Sequence, residues 1–311
     1  MFADGLMAEA NLRFRTHVGY WRRVVDRLFD PDSRCRRRAV SAGMDIPRLP
    51  YIRRSVWAVS MVRNEADVIK FSVMNLLRQG VDAVLIADNL STDETSAVLR
   101  RLAGEYPVYV AHDIEPAYFQ AEKMTLLAEA AAKAGAAWVV PFDADEFWSV
   151  PSGDLKSTLL GLQEPKARAT VRNVFPVEEG SLRGMVNGAE EILPKSAFRP
   201  YPGFHIETGN HFVDRPGREA GGITVLHFPW RSRSQIRAKS QTGRLALERA
   251  GHEAGIGSQW REMAKVDESA VEAAWRSLVE MKPWKEFGIE AQGPFTEIDL
   301  VTLSQRTVDD R

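Results

Sequence analysis

Cysteine is nearly absent from the chain: Cys35 is the only one among 311 residues. A single thiol excludes an intramolecular disulfide and any zinc site built from several cysteines, and it fits a reducing cytoplasm. Long apolar runs are missing as well. None approaches the roughly twenty residues needed to cross a bilayer. Met1-Phe2-Ala3-Asp4-Gly5-Leu6 also lacks the basic start and long apolar stretch of a secretory signal. A cytoplasmic location is therefore expected, with any membrane contact peripheral. The formal net charge of −1 gives no whole-chain argument for binding nucleic acid. What is present is an ordinary globular composition, 44% hydrophobic and 27% charged. The length permits one large α/β domain or a main domain with appendages.

Arginine is unevenly placed. From Asn11 to Phe29 the apolar positions Leu12, Val18, Trp21, Val24, Val25, Leu28 and Phe29 fall near helical spacing, with Arg13, Arg15, Arg22, Arg23 and Arg27 among them. This predicts a basic amphipathic helix packed on the main domain; the other reading is a membrane-surface or polyanion contact. Asp30-Pro31-Asp32-Ser33 reads as a turn, Arg34 and Arg36-Arg37-Arg38 as a solvated basic loop, and Asp45 to Pro50 as an irregular linker.

Strands and helices then alternate. Val56 to Val62 is apolar enough for a strand buried on both faces, and a helical pattern follows from Val68 to Leu77 with a stop at Gly80. Ala83 to Ala87, Val108 to Ala111 and Ala136 to Phe142 are the next strands. Between them lie a helix through Val98, Leu99 and Leu102, for which Ser91 or Thr92 is a candidate cap, and a helix from Gln120 to Ala134. Such alternation implies crossover connections, a largely parallel sheet, and a ligand crevice at the carboxyl ends of the strands. Asn64-Glu65, Asp88 and Asp143-Ala144-Asp145 fall on that one rim.

After Pro151 a helical piece spans Leu155 to Leu162. Shorter strands follow at 169–175, 195–199, 208–213 and 224–232, then helices from Gln235 to Arg249 and Asp267 to Met281. The expected architecture is α/β, a mostly parallel sheet flanked by helices, with mixed β additions and C-terminal helices. Its expected divisions are 1–54, a basic helical arm and linker; 55–233, the catalytic domain; and 234–311, a helical extension.

The run from Trp138 to Phe142 opens abruptly onto Asp143, Asp145 and Glu146. Unpaired charge at the edge of a core is costly. In an extended chain residues two apart share a face, so Asp143 and Asp145 would aim at one object while Ala144 turns away. A hard divalent cation, alone or carrying phosphates, is the natural object; the bland alternative is a strand end with solvated acids. Pro141 removes a ladder donor, so a strand end or bulge is expected there.

Several stretches carry a family resemblance when taken together: Ser60-Met61-Val62-Arg63-Asn64-Glu65, Asp88-Asn89-Leu90-Ser91-Thr92-Asp93, Gln120-Ala121-Glu122-Lys123 before a helix, and Ala137-Trp138 leading to Asp143-Ala144-Asp145-Glu146-Phe147. Gly209-Asn210-His211 and Leu226-His227-Phe228-Pro229-Trp230-Arg231-Ser232 follow. In order and spacing they resemble family-2-type glycosyltransferases of the GT-A fold, a Rossmann-like sheet. The resemblance implies a nucleotide-diphospho-sugar donor, Mn²⁺ or Mg²⁺, inversion at the anomeric carbon, and a glycan, lipid-linked or small-molecule acceptor. By resemblance Asp145 ligates the metal and Asp143 faces the ribose or the metal's water shell. His227 is the candidate third ligand, acceptable to Mn²⁺, with a satisfied core histidine as the equal alternative. Asp88 would bond the nucleobase and Glu65, next to Asn64, the ribose or base. Lys123 and Arg231 are candidate cations for the diphosphate, and Gln120 a further donor contact. A departing nucleoside diphosphate develops negative charge that a metal and a cation stabilise.

The acceptor base departs from the family pattern, since no Glu-Asp pair follows the metal motif. Glu178-Glu179, Glu190-Glu191, Glu207, His211 and Asp214 are available. His211 is favoured and Asp214 second, because an imidazole titrates near neutrality; His211 could equally contact a donor phosphate. Trp148, Tyr201, Phe204 and Trp230 either stack on sugar faces or belong to the core. The competing readings are a catalytically silent nucleotide-sugar or glycan-binding protein of the same fold, and a metal-dependent phosphotransferase or nucleotidyltransferase. Against the last two, the acidic pair follows the fourth strand instead of the first, and Arg63-Asn64-Glu65 is not a glycine-rich basic loop.

Overall fold

The computed structural model describes residues 18–238, 268–283 and 290–305, with single positions 245 and 249. The strands are β1 (Met44–Asp45), β2 (Ser55–Val62), β3 (Ala83–Asn89), β4 (Val108–Asp113), β5 (Ala136–Pro141), β6 (Glu146–Ser149), β7 (Lys166–Pro176), β8 (Arg183–Val186), β9 (Lys195–Phe198), β10 (His205–Ile206), β11 (Val213–Asp214), β12 (Glu219–His227) and β13 (Thr296–Asp299). Helices α1 (18–29), α2 (Pro31–Gly43), α3 (Ile69–Arg78), α4 (Thr95–Glu105), α5 (Gln120–Lys133) and α6 (Leu155–Gly161) are interspersed. A later helix runs from Glu268 to Val279, and another from Leu300 to Gln305.

The chain is a mixed α/β fold built on a largely parallel central sheet. Strand order is β1-β4-β3-β2-β5-β9-β7-β12-β6, and β4, β3, β2 and β5 are mutually parallel. On β2 the pleat sends Val56 and Ala58 to one core with α3 and α4, and Trp57 and Val59 to the other with α5. Each fully buried apolar side chain contributes roughly 1.5–3 kcal/mol. Slipping β2 by one residue would exchange its two faces, so the register is strongly held and the acidic strand ends stay on one rim. In the second half β9 is antiparallel to β5 and β7, β12 is parallel to β7, and β6 is antiparallel to β12.

Three local readings change. Residues 31–38 form the first part of α2 instead of a turn and loop: the Asp30 carboxylate accepts from Ser33 N–H (2.7 Å) and Pro31 fills the first turn. Asp-Pro is thus an N-cap followed by N1, which shares its composition with a turn. Residues 208–213 are not a strand; the 3₁₀ turn Thr208–Asn210 sits between β10 and β11, which pair with each other. Thr296–Asp299 adds a strand to β8 where a helical extension was expected. Of the helix expected at 235–249, only residues up to 238 and the single positions 245 and 249 are described, and residues 11–17 of the first helix also lie outside the described residues. α1 docks by Tyr20 and Val24, both buried, and by Tyr20 O–H donating to Pro202 O (2.6 Å). Among the described residues no helix is long and apolar enough to cross a membrane.

Candidate active site

The acidic strand end is a turn. β5 stops at Pro141, and Phe142 N–H still donates to Val59 O (3.0 Å). Glu146 N–H then donates back to Asp143 O (3.0 Å), closing a four-residue bend. Asp143 and Asp145 are therefore not held as alternate residues of one straight strand. The Asp143 carboxylate meets Lys195 Nζ (2.7 Å) and Asn210 Nδ2 (3.0 Å). Asp145, nearly buried, faces His227 Nε2 and Arg231 NH1, both at 3.6 Å.

Lys195, which opens β9, was not singled out by the sequence. Its ammonium also lies 2.6 Å from Glu146 Oε1 and donates to Gly209 O (2.8 Å). Burial pushes the fully buried Glu146 carboxyl up to about 8, against the pull of Lys195. Burial works against the charge on Lys195 too, but Asp143 and Glu146 outweigh it and raise its pKa. A lysine at the start of a short, buried four-residue strand carries no local mark; only the strand order brings it under the bend.

Gly209 and Asn210 have φ of +83° and +58°, so the turn carrying His211 is left-handed. A Cβ on Gly209 would fall 2.4 Å from the His211 ring, which reserves the position for glycine. Gln120 accepts from Gly209 N–H (2.7 Å) and so shapes this turn. His211 Nδ1 is 2.9 Å from Pro194 O. A carbonyl only accepts, so Nδ1 carries the proton and Nε2 is the basic atom. Burial first, and then Lys195, lower the pKa of this histidine. Asp214 is a different case. It is clamped by Arg23 NH2 (2.7 Å) and Arg27 NH1 (2.6 Å) of α1, and despite burial these guanidiniums hold its carboxyl below the usual range. A carboxylate so stabilised is a poor proton acceptor, which removes the second base candidate.

On the β2 and β3 side two loops are stitched together. Asn64 Oδ1 accepts from Thr92 N–H (2.7 Å), Thr95 Oγ1 from Glu65 N–H (2.8 Å), and Asp93 from Ala66 and Thr95 N–H. Asp88 accepts from Ser91 N–H (3.2 Å) and from the Ser96 hydroxyl. Glu65 binds Arg231, whose guanidinium also reaches Asp67 (2.7 Å) and Phe228 O (3.0 Å). Arg231 is 1% exposed, and Glu65, Asp67 and Asp145 keep it charged against the cost of burial. It holds the β2 and β5 ends together instead of standing open as a phosphate contact. Lys123 is likewise fully buried, on Asp113 (2.8 Å) and Glu115 O (2.6 Å), so its cation supports the β4–α5 connection. Burial lowers its pKa and raises that of Asp113. The half-buried Tyr118 lies within electrostatic reach of Asp143, Lys195 and Asp145. Burial raises its hydroxyl, followed by the charge of Asp143, with Lys195 opposing and Asp145 adding.

Among the described residues no three His, Cys, Asp or Glu side chains converge as a metal cage. The pair Asp145 and His227 nonetheless fits a hard cation. Their 3.6 Å separation exceeds a hydrogen bond and is near the ~3 Å between adjacent ligands of an octahedral ion with bonds of about 2.1 Å. His227 reaches this place because it pairs with Glu146 across β12 and β6.

The family model for glycosyl transferase family 2 matches residues 58–210. No curated protein matches the chain. Among solved structures, S. aureus TarS 1-349 in complex with UDP is similar at 13% identity, covering 69% of this chain and 76% of that one, with a TM-score of 0.38. The same fragment in complex with UDP-GlcNAc is similar at 11% identity over 68% and 70%, also at 0.38.

Proposed function

The chain belongs to glycosyl transferase family 2 through its residues 58–210, and on that premise we propose that it transfers a sugar from a nucleotide-diphospho-sugar to an acceptor hydroxyl, with inversion and with Mn²⁺ or Mg²⁺. The observation that carries the reading is the rim on which Arg231 ties Glu65 from the end of β2 to Asp145 after β5, with His227 facing the same carboxylate. Asp145 and His227 are the residues that would hold the cation, leaving other positions for oxygen ligands. Bound there, the cation would offset the charge developing on a departing nucleoside diphosphate. Asp88 and Glu65, with Asn64 shaping their loop, face the nucleoside, and Asp143 with Tyr118 the ribose or the water around the cation. Lys123, Gln120 and Arg231 enter as supports, because each is buried and bonded within the protein.

A thermal-shift screen of nucleotides and nucleotide-sugars, with and without Mn²⁺, tests this reading. One donor should raise the melting temperature only when Mn²⁺ is present, since a ligand at a hundredfold excess over its Kd adds about 2.7 kcal/mol. No Mn²⁺-dependent shift across the panel would sink the proposal. Binding without transfer to any acceptor, or hydrolysis, would favour the silent binding protein instead.

The acceptor base is His211 through Nε2. Its pKa lies below the usual 6.5 because of burial and Lys195. A base must be unprotonated to act, so kcat/KM should hold as pH falls to 6.5 and decline only below it. An acid limb at or above 6.5 contradicts the assignment.

The N-terminal arm makes peripheral contact with an anionic membrane surface, which would bring lipid-linked acceptors within reach. α1 turns Val18, Trp21, Val25, Leu28 and Phe29 to solvent, the last 73% exposed. Residues 18–54 contain ten arginines against four aspartates. Exposed Trp and Phe beside arginine suit the boundary between headgroup and acyl chain. The protein should sediment with phosphatidylglycerol-containing vesicles and not with pure phosphatidylcholine, and Trp21→Glu with Phe29→Glu should abolish this. Concentration-dependent dimers that the same variant dissociates, without vesicle binding, would assign the stripe to a second copy.

A further inference from the structure

We infer that Asn173 and Glu191 are positioning residues that set the tautomer of His227. The inference rests on the reading of Asp145 and His227 as a cation-holding pair and adds the device that keeps the imidazole in its ligating form. Asn173 and His227 are direct partners in the parallel pairing of β7 and β12, and His227 Nδ1 is 3.0 Å from Asn173 Oδ1. A hydrogen bond at Nδ1 leaves two possibilities, because an asparagine amide can present either its oxygen or its nitrogen. Glu191 removes one of them. Its Oε1 accepts from Asn173 Nδ2, and an ionised carboxylate has only acceptors, so the amide nitrogen must point to Glu191 and the oxygen to His227.

The consequence travels across the ring. Asn173 Oδ1 accepts, therefore Nδ1 donates, and in the neutral imidazole the lone pair is left on Nε2, the atom 3.6 Å from Asp145 Oδ1. Glu191 is itself anchored on β7, two residues from Asn173 along that strand: its N–H donates to Val171 O (2.8 Å). Asn173 is held from the other side by Asn187 N–H donating to its carbonyl (2.8 Å). Metal-binding histidines characteristically donate their second N–H to such an oxygen, which fixes both tautomer and ring orientation. Glu191, one of the acids available from sequence as an acceptor base, thereby has a different task. Its neighbour Glu190 turns away to Arg172 (3.1 Å).

The test uses the full chain labelled with ¹⁵N-histidine, without metal, at a pH where imidazole is neutral. Long-range ¹H–¹⁵N correlation reads the tautomer, and His227→Gln assigns the signal. The wild-type protein should show His227 protonated at Nδ1. Glu191→Gln, whose amide both donates and accepts, should give a mixture of tautomers. Mn²⁺ titration followed by electron paramagnetic resonance should show Asn173→Ala and Glu191→Gln weakened about 10–100-fold. Glu191→Gln is nearly isosteric and guards against a folding defect in the alanine variant. An Nε2-protonated His227 in the wild type, or unchanged Mn²⁺ affinity in both weakened variants, overturns the inference. An Nδ1-protonated His227 in a wild-type protein that binds no Mn²⁺ overturns instead the cation reading beneath it.

Discussion

Asp145→Asn should reduce sugar transfer by at least about 100-fold, the scale on which removing one preorganised electrostatic partner of a transition state acts, and should abolish the Mn²⁺-dependent stabilisation by donor. The substitution keeps size and removes charge. The fold should persist, because Arg231 retains Glu65 and Asp67 at bonding distance while its approach to Asp145 is the longer one at 3.6 Å. Asp143→Asn is the informative comparison. That carboxylate is engaged by Lys195 and Asn210, so its loss should weaken donor binding less than it disturbs the bend. Transfer rates and donor-induced melting shifts for both variants are the measurement. An Asp145→Asn protein that still responds to donor only when Mn²⁺ is present would refute the assignment of Asp145.

At pH 8 Lys195→Met should be the most destabilising single change at the site, by about 3–5 kcal/mol, because it leaves the Asp143 and Glu146 carboxylates without their counterion. Glu146 has no exposed side-chain surface and Asp143 would lose its nearest cation. The defect should depend on pH in a defined direction. The Glu146 pKa is already raised from 4.5 to about 8 in the folded protein, so the folded state binds this proton more tightly than the unfolded chain does. Its stabilising contribution is complete below about 4.5 and is lost as pH climbs toward 8. Without Lys195 the pKa rises further, so the variant should be much closer to wild type at pH 5.5 than at pH 8. Denaturant midpoints at those two values decide the matter. Glu146→Gln added to Lys195→Met should recover part of the loss at pH 8, as expected for residues in direct contact. A pH-independent defect with no recovery would show that Lys195 acts through packing alone.

The four parallel strands were legible because burial on both faces makes each one an apolar run. Val56–Val62 and Ala136–Phe142 need no partner information to read as strands, and β2 and β5 end within a residue of where the runs end. Asp93 and Thr95 illustrate the limit at the next scale. A side-chain cap for α4 was expected from Ser91 or Thr92, yet the N-cap position is Glu94 and carries no side-chain cap bond; Asp93 instead accepts from Thr95 N–H (2.9 Å) and from Ala66 N–H of the neighbouring loop. Several side chains in that stretch are chemically competent; the approach of the β2–α3 loop selects among them. α2 was missed because Asp-Pro serves equally in turns and at helix starts. β13 was missed because a four-residue edge strand has too little pattern to register.

The candidate site divides in the same way. Asp143, Asp145 and Asp88 were legible as acids at the ends of buried strands, and a strand end exposes its last side chains at a crevice whatever follows. That much the sequence determined by itself, together with the parallel core that sets the rim. Which carboxylate meets which cation was decided by tertiary structure alone. Lys195 stands 52 residues from Asp143 and Arg231 164 residues from Asp67, and no local periodicity encodes distances of that order along a chain. Pairing β6 with β12 brings His227 to Asp145, pairing β5 with β9 brings Lys195 under the bend, and the bend at Asp143–Glu146 turns the two aspartates to separate partners. Local sequence sets which chemistry each strand end carries, because burial and alternation act over a few residues. The order of strands sets which ends meet, because only the closing of the whole core determines it.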